Sequence, residues 1–291
     1  MTKPTERKVL LGFRAFDLHE LLPHFVALGL GYYRQSGLEV TLKDINFWPE
    51  EQRDAPLTVA CGAALMSWTK GLPSRVIFVT TDYPMFWLHA QPAVREVRAL
   101  RGLRIATYPS MAPPAHFHRK VLCKYGLDPD RDVLLEAARD DVARLGLLRS
   151  GDVHAAVISS AIPPPRVQSF GLRTILFLGD EIRLPSTGLA VQEEFLDSHS
   201  GLVRDMVAAF HQSILAIHQF PEKVIPIMAQ VLGDSPKMAE QTYNLLHGYF
   251  TRNGRAAPEA ERNALELANQ QRPHEQKLRP DDIYDYSFLP R

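Results

Sequence analysis

Two histidines and a glutamate lie close together in the segment HELLPH, residues 19–24. In metalloproteases such side chains bind zinc when the histidines are four positions apart, because positions i and i+4 share one helix face. Here His19 and His24 are five positions apart. Five residues turn a helix by about 500°, so the two rings would lie on different faces. The spacing therefore predicts no metal site, and we expect neither a metal nor another cofactor.

A second segment whose residues could bind a ligand runs from Ala106 to Pro129. Within it, Pro113 and Pro114 stand at the predicted start of a helix. The free N–H groups of a first helical turn can bind an anion, but proline has no N–H to offer. We therefore expect sulfate and phosphate to bind weakly here, and binding to depend on Ser110 and on side chains.

The two histidines after the double proline differ in their predicted surroundings. His118 shares a helical stripe with Val121, Leu122 and Tyr125, which predicts that it faces the core. His116 lies off that stripe and nearer the loop, so it is the better candidate for contact with a ligand.

The sequence contains none of the common signatures of nucleophilic catalysis or nucleotide binding. It has no G-x-S-x-G elbow, no Walker loop and no G-x-G-x-x-G segment. Its two cysteines, Cys61 and Cys123, are too few for a zinc ribbon or a disulfide framework. Cys61 ends a predicted strand that could face a ligand, although a packed apolar role is favoured. We predict no catalytic residue.

The bulk composition is that of a soluble globular protein. The 291 residues are 45% hydrophobic and 23% charged, and their formal net charge is +0. The charge balance gives no sign of nucleic-acid binding, and no apolar run approaches the ~20 residues that span a bilayer. The start, MTKPTERKVLLGF, shows no secretory leader. We therefore expect either a cytoplasmic protein or one whose leader has been removed.

Strands and helices alternate over the first 80 residues. The helix predicted after the first strand begins at Pro23 and is capped by Gly37. Strands are predicted over residues 8–16, 38–47, 56–62 and 75–81, and a short helix over 63–71. This βαββαβ order favours a mainly parallel sheet covered by helices.

The alternation restarts near residue 95 and ends near residue 178. Here strands are predicted over residues 102–108, 132–138, 153–159 and 173–179, with helices over 113–126 and 140–151. Helices over 201–219, 221–233 and 235–250 and an irregular tail from residue 279 complete the chain. Because no third sheet follows, we expect the terminal helices to pack on the first α/β unit.

Three segments resemble a known protein family in their order and spacing. They are PHFVALGLGYYRQSGLEVTL (23–42), LRGLRIATY (100–108) leading to KYGLDP (124–129), and DDVARLGLLRSGDVHAAVIS (140–159). They resemble the periplasmic substrate-binding proteins of ABC transporters for sulfonates, taurine and nitrate. That superfamily includes thiamine-precursor binders and a fungal pyrimidine synthase. The chain departs from the pattern at His154, where the family often has an acidic residue, and in the loop after Tyr108, which lacks glycines.

The resemblance implies an α/β, two-lobed periplasmic-binding-protein-like fold. Its sheets would be mixed and mainly parallel, with helices on both faces and a helical C-terminal segment. Lobe one would comprise residues 1–82 plus 188–291, and lobe two residues 83–187. Two crossovers, near residues 80–87 and 178–189, would join the lobes, and a ligand would bind in the cleft between them.

The expected ligand residues stand at predicted strand ends and crossovers. They are Arg14, Phe16, Asp17, His19, Cys61, Trp68, Tyr83, Ser110, Met111, His116, Ser159 and Arg183. Among them, Arg14 and Arg183 are candidates for binding a carboxylate, because the guanidinium fork allows two parallel hydrogen bonds.

The leading function is reversible capture of a small organic acid, aromatic acids included, by closure of the two lobes. An ABC permease would be its partner if the protein is exported. The alternative is a cytoplasmic enzyme on the same fold, such as a decarboxylase or a thiamine-precursor-type biosynthetic enzyme. It would use Asp17, His19 or His116 as acid or base. A desulfinase of this fold has a cysteine after its first strand, where this chain has Ala15, Phe16 and Asp17.

Overall fold

The chain forms two compact units. A computed structural model describes residues 7–14, 16–45, 55–68, 71–110, 112–270 and 276–290. Unit 1 comprises residues Met1–Asp82 and Arg183–Arg291, and unit 2 comprises Tyr83–Ile182. The chain thus leaves unit 1 after Asp82 and returns to it at Arg183. Each unit has its own five-stranded sheet.

The sheet of unit 1 is mixed. Its strands are β1 (Arg7–Phe13), β2 (Leu38–Asp44), β3 (Leu57–Ala60), β4 (Ser74–Thr81) and β10 (Thr187–Gln192). They are ordered β2-β1-β3-β10-β4. Strand β1 is parallel to β2 and β3, whereas β10 is antiparallel to β3 and β4. Strand β10 was not predicted, because its short segment includes a glycine, a residue that weakens a strand pattern.

Helix α1 begins earlier than the sequence predicts. It spans Leu18–Gly29, so Pro23 lies inside it and not at its first position. The carbonyl of Asp17 accepts the N–H groups of Glu20 and Leu21, which starts the helix there. Pro23 has no N–H for the bond to the carbonyl four residues earlier, and a proline inside a helix costs that bond. The helix α2 (Tyr32–Gln35) follows, and Gly37 after it has φ 65°, as expected near a helix end.

The remaining helices of unit 1 follow β3 and β10. They are α3 (Cys61–Trp68), α7 (Glu193–Gln219), α8 (Pro221–Leu232), α9 (Pro236–Leu246), α10 (Pro258–Gln270) and α11 (Pro280–Ile283). The apolar stripe predicted on α7 is buried in full, and α7 packs on α1. Helix α10 was not predicted. The tail is also more regular than expected, since Tyr284 pairs with Val76 and so covers part of the edge strand β4.

Unit 2 has a mixed sheet with a comparable strand pattern. Its strands are β5 (Phe86–Ala90), β6 (Arg104–Thr107), β7 (Leu134–Ala137), β8 (Ala155–Ser159) and β9 (Arg173–Phe177). They are ordered β7-β6-β8-β5-β9, with β6 parallel to β7 and β8 and with β5 antiparallel to β8 and β9. Its helices are α4 (Pro113–Lys124), α5 (Asp141–Ser150) and α6 (Pro164–Gln168). Together they enclose a separate apolar core. Among the helices described in either unit, none is long and apolar enough to cross a bilayer.

Gly188 allows β10 to approach β4 closely. A Cβ atom added at Gly188 would lie 1.9 Å from the carbonyl oxygen of Phe78, a contact that only a shift of backbone can relieve. We expect Gly188→Ala to lower the free energy of unfolding by about 3 kcal/mol, the upper part of the usual range for overpacking. Urea denaturation followed by circular dichroism measures this loss.

Gly146 is the matched control for this substitution. It lies in α5, and an added Cβ would meet nothing within 4 Å. Gly146→Ala should therefore be neutral or stabilising by up to about 1 kcal/mol, since alanine favours a helix over glycine. Equal stability of the Gly188→Ala protein and the wild type would contradict the predicted clash.

Candidate functional site

Several strand ends of unit 1 meet at one edge of its sheet. Strands β1 and β3 are parallel, and α1 and α3 begin just after them. The antiparallel strand β10 begins at the same edge, where Thr187 pairs with Ala60 and Thr81. Ligands of α/β proteins bind beyond the carboxyl ends of strands. This edge of unit 1 is therefore a candidate site.

Charged side chains collect where β1 runs into α1. Asp17 and Glu20 are buried, and Arg14 is partly buried. Burial raises the pKa of Glu20 well above its usual range, and the negative charge of Asp17 adds to this effect. The backbone N–H and the guanidinium of Arg14 oppose it. Burial also lowers the pKa of Arg14, while the charge of Glu20 opposes that change. These residues form a group of acid and base where the loop after β1 enters α1.

Glu20 was not among the predicted ligand residues. The pattern Asp-x-x-Glu at residues 17–20 resembles a capping box and could have drawn attention to it. In the structure the Asp17 side chain forms no hydrogen bond that caps α1. Glu20 instead accepts a hydrogen bond from the backbone N–H of Arg14. The local pattern therefore marks a buried polar group and not a helix cap.

The two histidines of the HELLPH segment are buried in unit 1. Burial lowers the pKa of His19 to about 3 and that of His24 to about 4. The Nδ1 atom of His24 lies 3.0 Å from the hydroxyl of Tyr33. Both rings are thus neutral at physiological pH. In the part of the chain that the structure describes, no group of three or more histidine, cysteine, aspartate or glutamate side chains is arranged to hold a metal.

Cys61 and Trp68, at the two ends of α3, have contacts within unit 1. The Cys61 thiol is buried and lies 3.8 Å from the Phe78 carbonyl oxygen. Burial raises its pKa, so it stays protonated and is a poor nucleophile. The Trp68 indole N–H donates to the carbonyl of Ser74 at 3.0 Å, and its ring packs on an apolar cluster. Roles for these two residues in ligand binding stay predictions.

Arg183 forms an ion pair where the chain returns to unit 1. Its guanidinium lies 2.6 Å from Oδ1 of Asp82, and Oδ2 of Asp82 accepts the N–H of Ala257 at 2.8 Å. The carbonyl of Arg183 also accepts a hydrogen bond from Asn263. The ion pair thus joins Asp82, the last residue before the chain leaves unit 1, to Arg183, the first residue after it returns. Of the two arginines proposed to bind a carboxylate, Arg14 is therefore the better candidate.

In unit 2, Ser159 is held at the carboxyl end of β8 by Asp141. The Ser159 hydroxyl donates to Oδ2 of Asp141 at 2.6 Å, and its N–H donates to Oδ1 at 3.1 Å. The hydroxyl oxygen also accepts the N–H of Ala161. This serine was predicted to contact a ligand, and its hydroxyl already has two partners in the protein.

Arg144 is the least expected residue near this end of β8. Its side chain is only 1% exposed. It donates to the carbonyls of Val157 and Ala138 and to Oδ1 of Asp141, at 2.7, 2.9 and 2.6 Å. Arg144 was not predicted as a site residue, although it falls beside Leu145 and Leu148 on the buried side of α5. A charged residue on an apolar stripe was the available signal.

The Arg144 guanidinium also fixes Tyr108, which follows β6. Its central carbon lies 3.5 Å from the centre of the Tyr108 ring, a geometry that attracts a cation to an aromatic face. The Tyr108 hydroxyl donates to Asp141 at 3.3 Å, and the ring meets that of Phe86 edge to face at 5.5 Å. The carboxyl edge of the second sheet therefore carries a half-buried aromatic ring in a fixed orientation.

The other predicted site residues are more open to solvent. Phe16 is 43% exposed and pairs with the ring of Phe25. Ser110 and His116 are exposed, and Tyr83 is half-buried. Met111 lies outside the described residues. Arg14, Asp17 and Glu20 are thus brought together in unit 1, and Tyr108 with Ser159 in unit 2. The shared cleft expected for Asp17 and Ser110 stays a prediction.

A small cavity in unit 1 lies away from this candidate site. Its lining includes Thr58, Ser67, Ser74 and Gln192, and it has room for about one water molecule. Gln192 ends the antiparallel strand β10, which begins at the carboxyl edge described above. This cavity is too small for an organic ligand.

Comparison with known proteins identifies relatives for this arrangement. A family model described as NMT1/THI5 like matches residues 19–224, which is more than half of the chain. Among curated proteins, no sequence matches the chain significantly. The family resemblance inferred from the sequence is confirmed.

Three solved structures illustrate the fold. The alkanesulfonate-binding protein SsuA from Xanthomonas axonopodis pv. citri, bound to MOPS, has a TM-score of 0.73 and 15% identity, over 98% of this chain and 99% of that chain. The periplasmic aliphatic sulphonate binding protein SsuA from Escherichia coli has a TM-score of 0.72 and 14% identity, over 95% and 96%. The desulfurization enzyme DSZB has a TM-score of 0.72 and 16% identity, over 97% of both chains. The predicted fold class is confirmed, while the neighbours include both binding proteins and an enzyme.

Proposed function

The chain belongs to the NMT1/THI5-like family, and we propose that it is a solute-binding protein that reversibly binds a small organic acid. The acid is aromatic, and residues at the carboxyl ends of strands contribute to holding it. If the protein is exported, an ABC permease receives the ligand. Among the neighbours of the same fold, three carry sulfonate binding in their names, which supports a small anionic solute.

One observation supports the proposal most. Each sheet presents a polar group and an aromatic group at the carboxyl ends of its strands: Arg14 and Phe16 in unit 1, and Ser159 and Tyr108 in unit 2. Pockets for small molecules combine apolar and aromatic walls with a few well-placed polar groups. Arg14 in unit 1 is the proposed partner of the acid group.

The double proline supports an organic ligand over an inorganic anion. Helix α4 begins at Pro113, with proline in its first turn, as predicted. Two N–H groups that would otherwise face an anion are therefore absent. Binding must rely on side chains, and the exposed His116 in the first turn of α4 is the nearest candidate.

A thermal-shift panel tests this proposal. Sulfate, phosphate, MOPS, benzoate and benzenesulfonate are compared at the same concentration. We expect the aromatic acids to stabilise the protein. A ligand at one hundred times its Kd adds about 2.7 kcal/mol, which raises the Tm of a chain of this size by several degrees. Arg14→Ala should abolish the shift, whereas the control Arg34→Ala, at an exposed position in α2, should keep it.

Two outcomes of this panel are decisive. Stabilisation by sulfate or phosphate alone, unchanged in Arg14→Ala, would refute binding of an organic acid through Arg14. Loss of the aromatic-acid shift in His116→Ala would place the first turn of α4 in the binding site.

A further inference from the structure

Glu20 has a carboxyl oxygen whose hydrogen-bonding capacity is unused. The residue is 7% exposed and lies in the first turn of α1. Among the described residues, its Oε1 atom is buried and has no hydrogen-bond partner. The backbone N–H of Arg14 donates to the Glu20 carboxyl group, yet Oε1 is left without a partner among those residues. Leaving a buried polar atom unpaired costs about 1–3 kcal/mol, and such atoms call for an explanation.

Among the described residues, the charged and titratable groups that act on Glu20 come from three elements. Asp17 stands at the start of α1, Arg14 in the loop after β1, and Cys61 at the start of α3. Burial, the largest influence, and Asp17 raise the pKa of Glu20, while Arg14 opposes them. The neighbouring Cys61 thiol is protonated and carries no charge, because burial raises its pKa.

Oε1 is therefore the Glu20 oxygen that can carry the acid proton without displacing a hydrogen bond present among the described residues. A protonated carboxyl group has one O–H donor. The first turn of α1 thus presents a buried donor at the carboxyl edge of the first sheet, beside the guanidinium proposed to bind the ligand.

We propose that Glu20 is a ligand-binding residue, and that its Oε1–H group donates a hydrogen bond to an acceptor oxygen on the ligand's acid group. This proposal rests on the proposed function. It names a second contact for the acid group besides Arg14, and it couples binding to a proton. Ionised Glu20 offers no donor and repels an anion, so binding weakens as pH rises.

Three proteins and two probes test this role. Benzoate and benzenesulfonate stay anionic between pH 6 and pH 9, and their affinities are measured by calorimetry for wild type, Glu20→Gln and Glu20→Ala. We expect wild-type affinity to fall with rising pH. Glu20→Gln should bind with little pH dependence, because its amide donates at every pH. Glu20→Ala should bind about tenfold more weakly than wild type at pH 6, the value of one hydrogen bond.

The possible failures are distinguishable. Circular dichroism and Tm establish that each variant is folded, and the conservative Glu20→Gln protein preserves the test if Glu20→Ala does not fold. Wild-type affinity that does not change with pH, or that matches Glu20→Ala, overturns the role of Glu20 and leaves the proposed function standing. If neither probe binds wild type at any pH, the proposed function itself fails, and the role of Glu20 fails with it.

Discussion

Replacing Arg144 with methionine should lower the free energy of unfolding by about 3–5 kcal/mol, the usual cost of breaking a buried ion pair by removing one partner. Arg144 supplies three hydrogen bonds, and among the described residues it is the only cation within hydrogen-bonding distance of the Asp141 carboxylate. Methionine has a similar length but no donor and no charge. It therefore leaves the Asp141 carboxylate, whose side chain is only 12% exposed, without a positive partner. Urea denaturation of the purified protein measures the loss.

Two further variants separate charge from packing. Asp141→Asn added to Arg144→Met should recover part of the stability, because it removes the uncompensated charge. Arg149→Met, at an exposed position on the same helix, should change the stability by less than about 0.5 kcal/mol. An Arg144→Met protein as stable as wild type would show that the ion pair with Asp141 is not formed in solution.

Stability should also fall steeply between pH 6.5 and pH 4.5. Burial lowers the pKa of four histidines to between about 3 and about 4: His19, His24, His89 and His118. In the unfolded chain each takes up a proton near pH 6.5, while the folded chain does not. Unfolding is therefore favoured as pH falls through this window.

The expected slope includes opposing groups. The raised pKa values of Glu20 and Glu261 mean that the folded chain binds protons earlier at these sites, which offsets part of the histidine effect. If the unfolded chain binds two to three more protons than the folded chain, the free energy of unfolding falls by roughly 3–4 kcal/mol for each unit that the pH is lowered. Urea midpoints measured at half-unit steps of pH give the slope.

Two histidines offer matched controls for this pH dependence. His89 and His118 each place Nδ1 3.1 Å from a threonine hydroxyl, of Thr174 and Thr107 respectively. An asparagine amide can take over that contact without titrating. Each histidine-to-asparagine variant should reduce the slope by the contribution of about one proton. A wild-type slope near zero between pH 6.5 and pH 4.5 would mean that these rings are not held neutral by burial.

Periodicity predicted most of the regular elements, and its failures have physical causes. The stripe on α7 was predicted because its residues recur at helical spacing and are buried in the structure. Strands β5 and β10 and helix α10 were missed. Strand β10 lies between β3 and β4 through contacts distant in sequence, and those contacts override a weak local pattern. The α1 boundary was wrong because proline favours a first helical turn but is tolerated inside a helix when tertiary packing compensates.

The candidate site was less predictable than the fold. Strand ends indicated Arg14, Asp17 and Ser159, because the order of elements determines where strands end. Sequence spacing does not reveal which polar side chains become buried partners, so Glu20 and Arg144 were missed. Arg183 was predicted from its position alone, and the ion pair with Asp82 arises from two segments about one hundred residues apart.

Native mass spectrometry followed by identification of the released small molecule tests the binding function most directly. The protein is equilibrated with benzoate, benzenesulfonate and sulfate together, desalted and examined intact, and the bound compound is then released and identified. We expect one aromatic acid per chain, chemically unchanged after release, and no bound acid in Arg14→Ala. Release of a decarboxylated or desulfonated product would instead establish an enzyme, and the absence of any bound aromatic acid would contradict the proposed ligand.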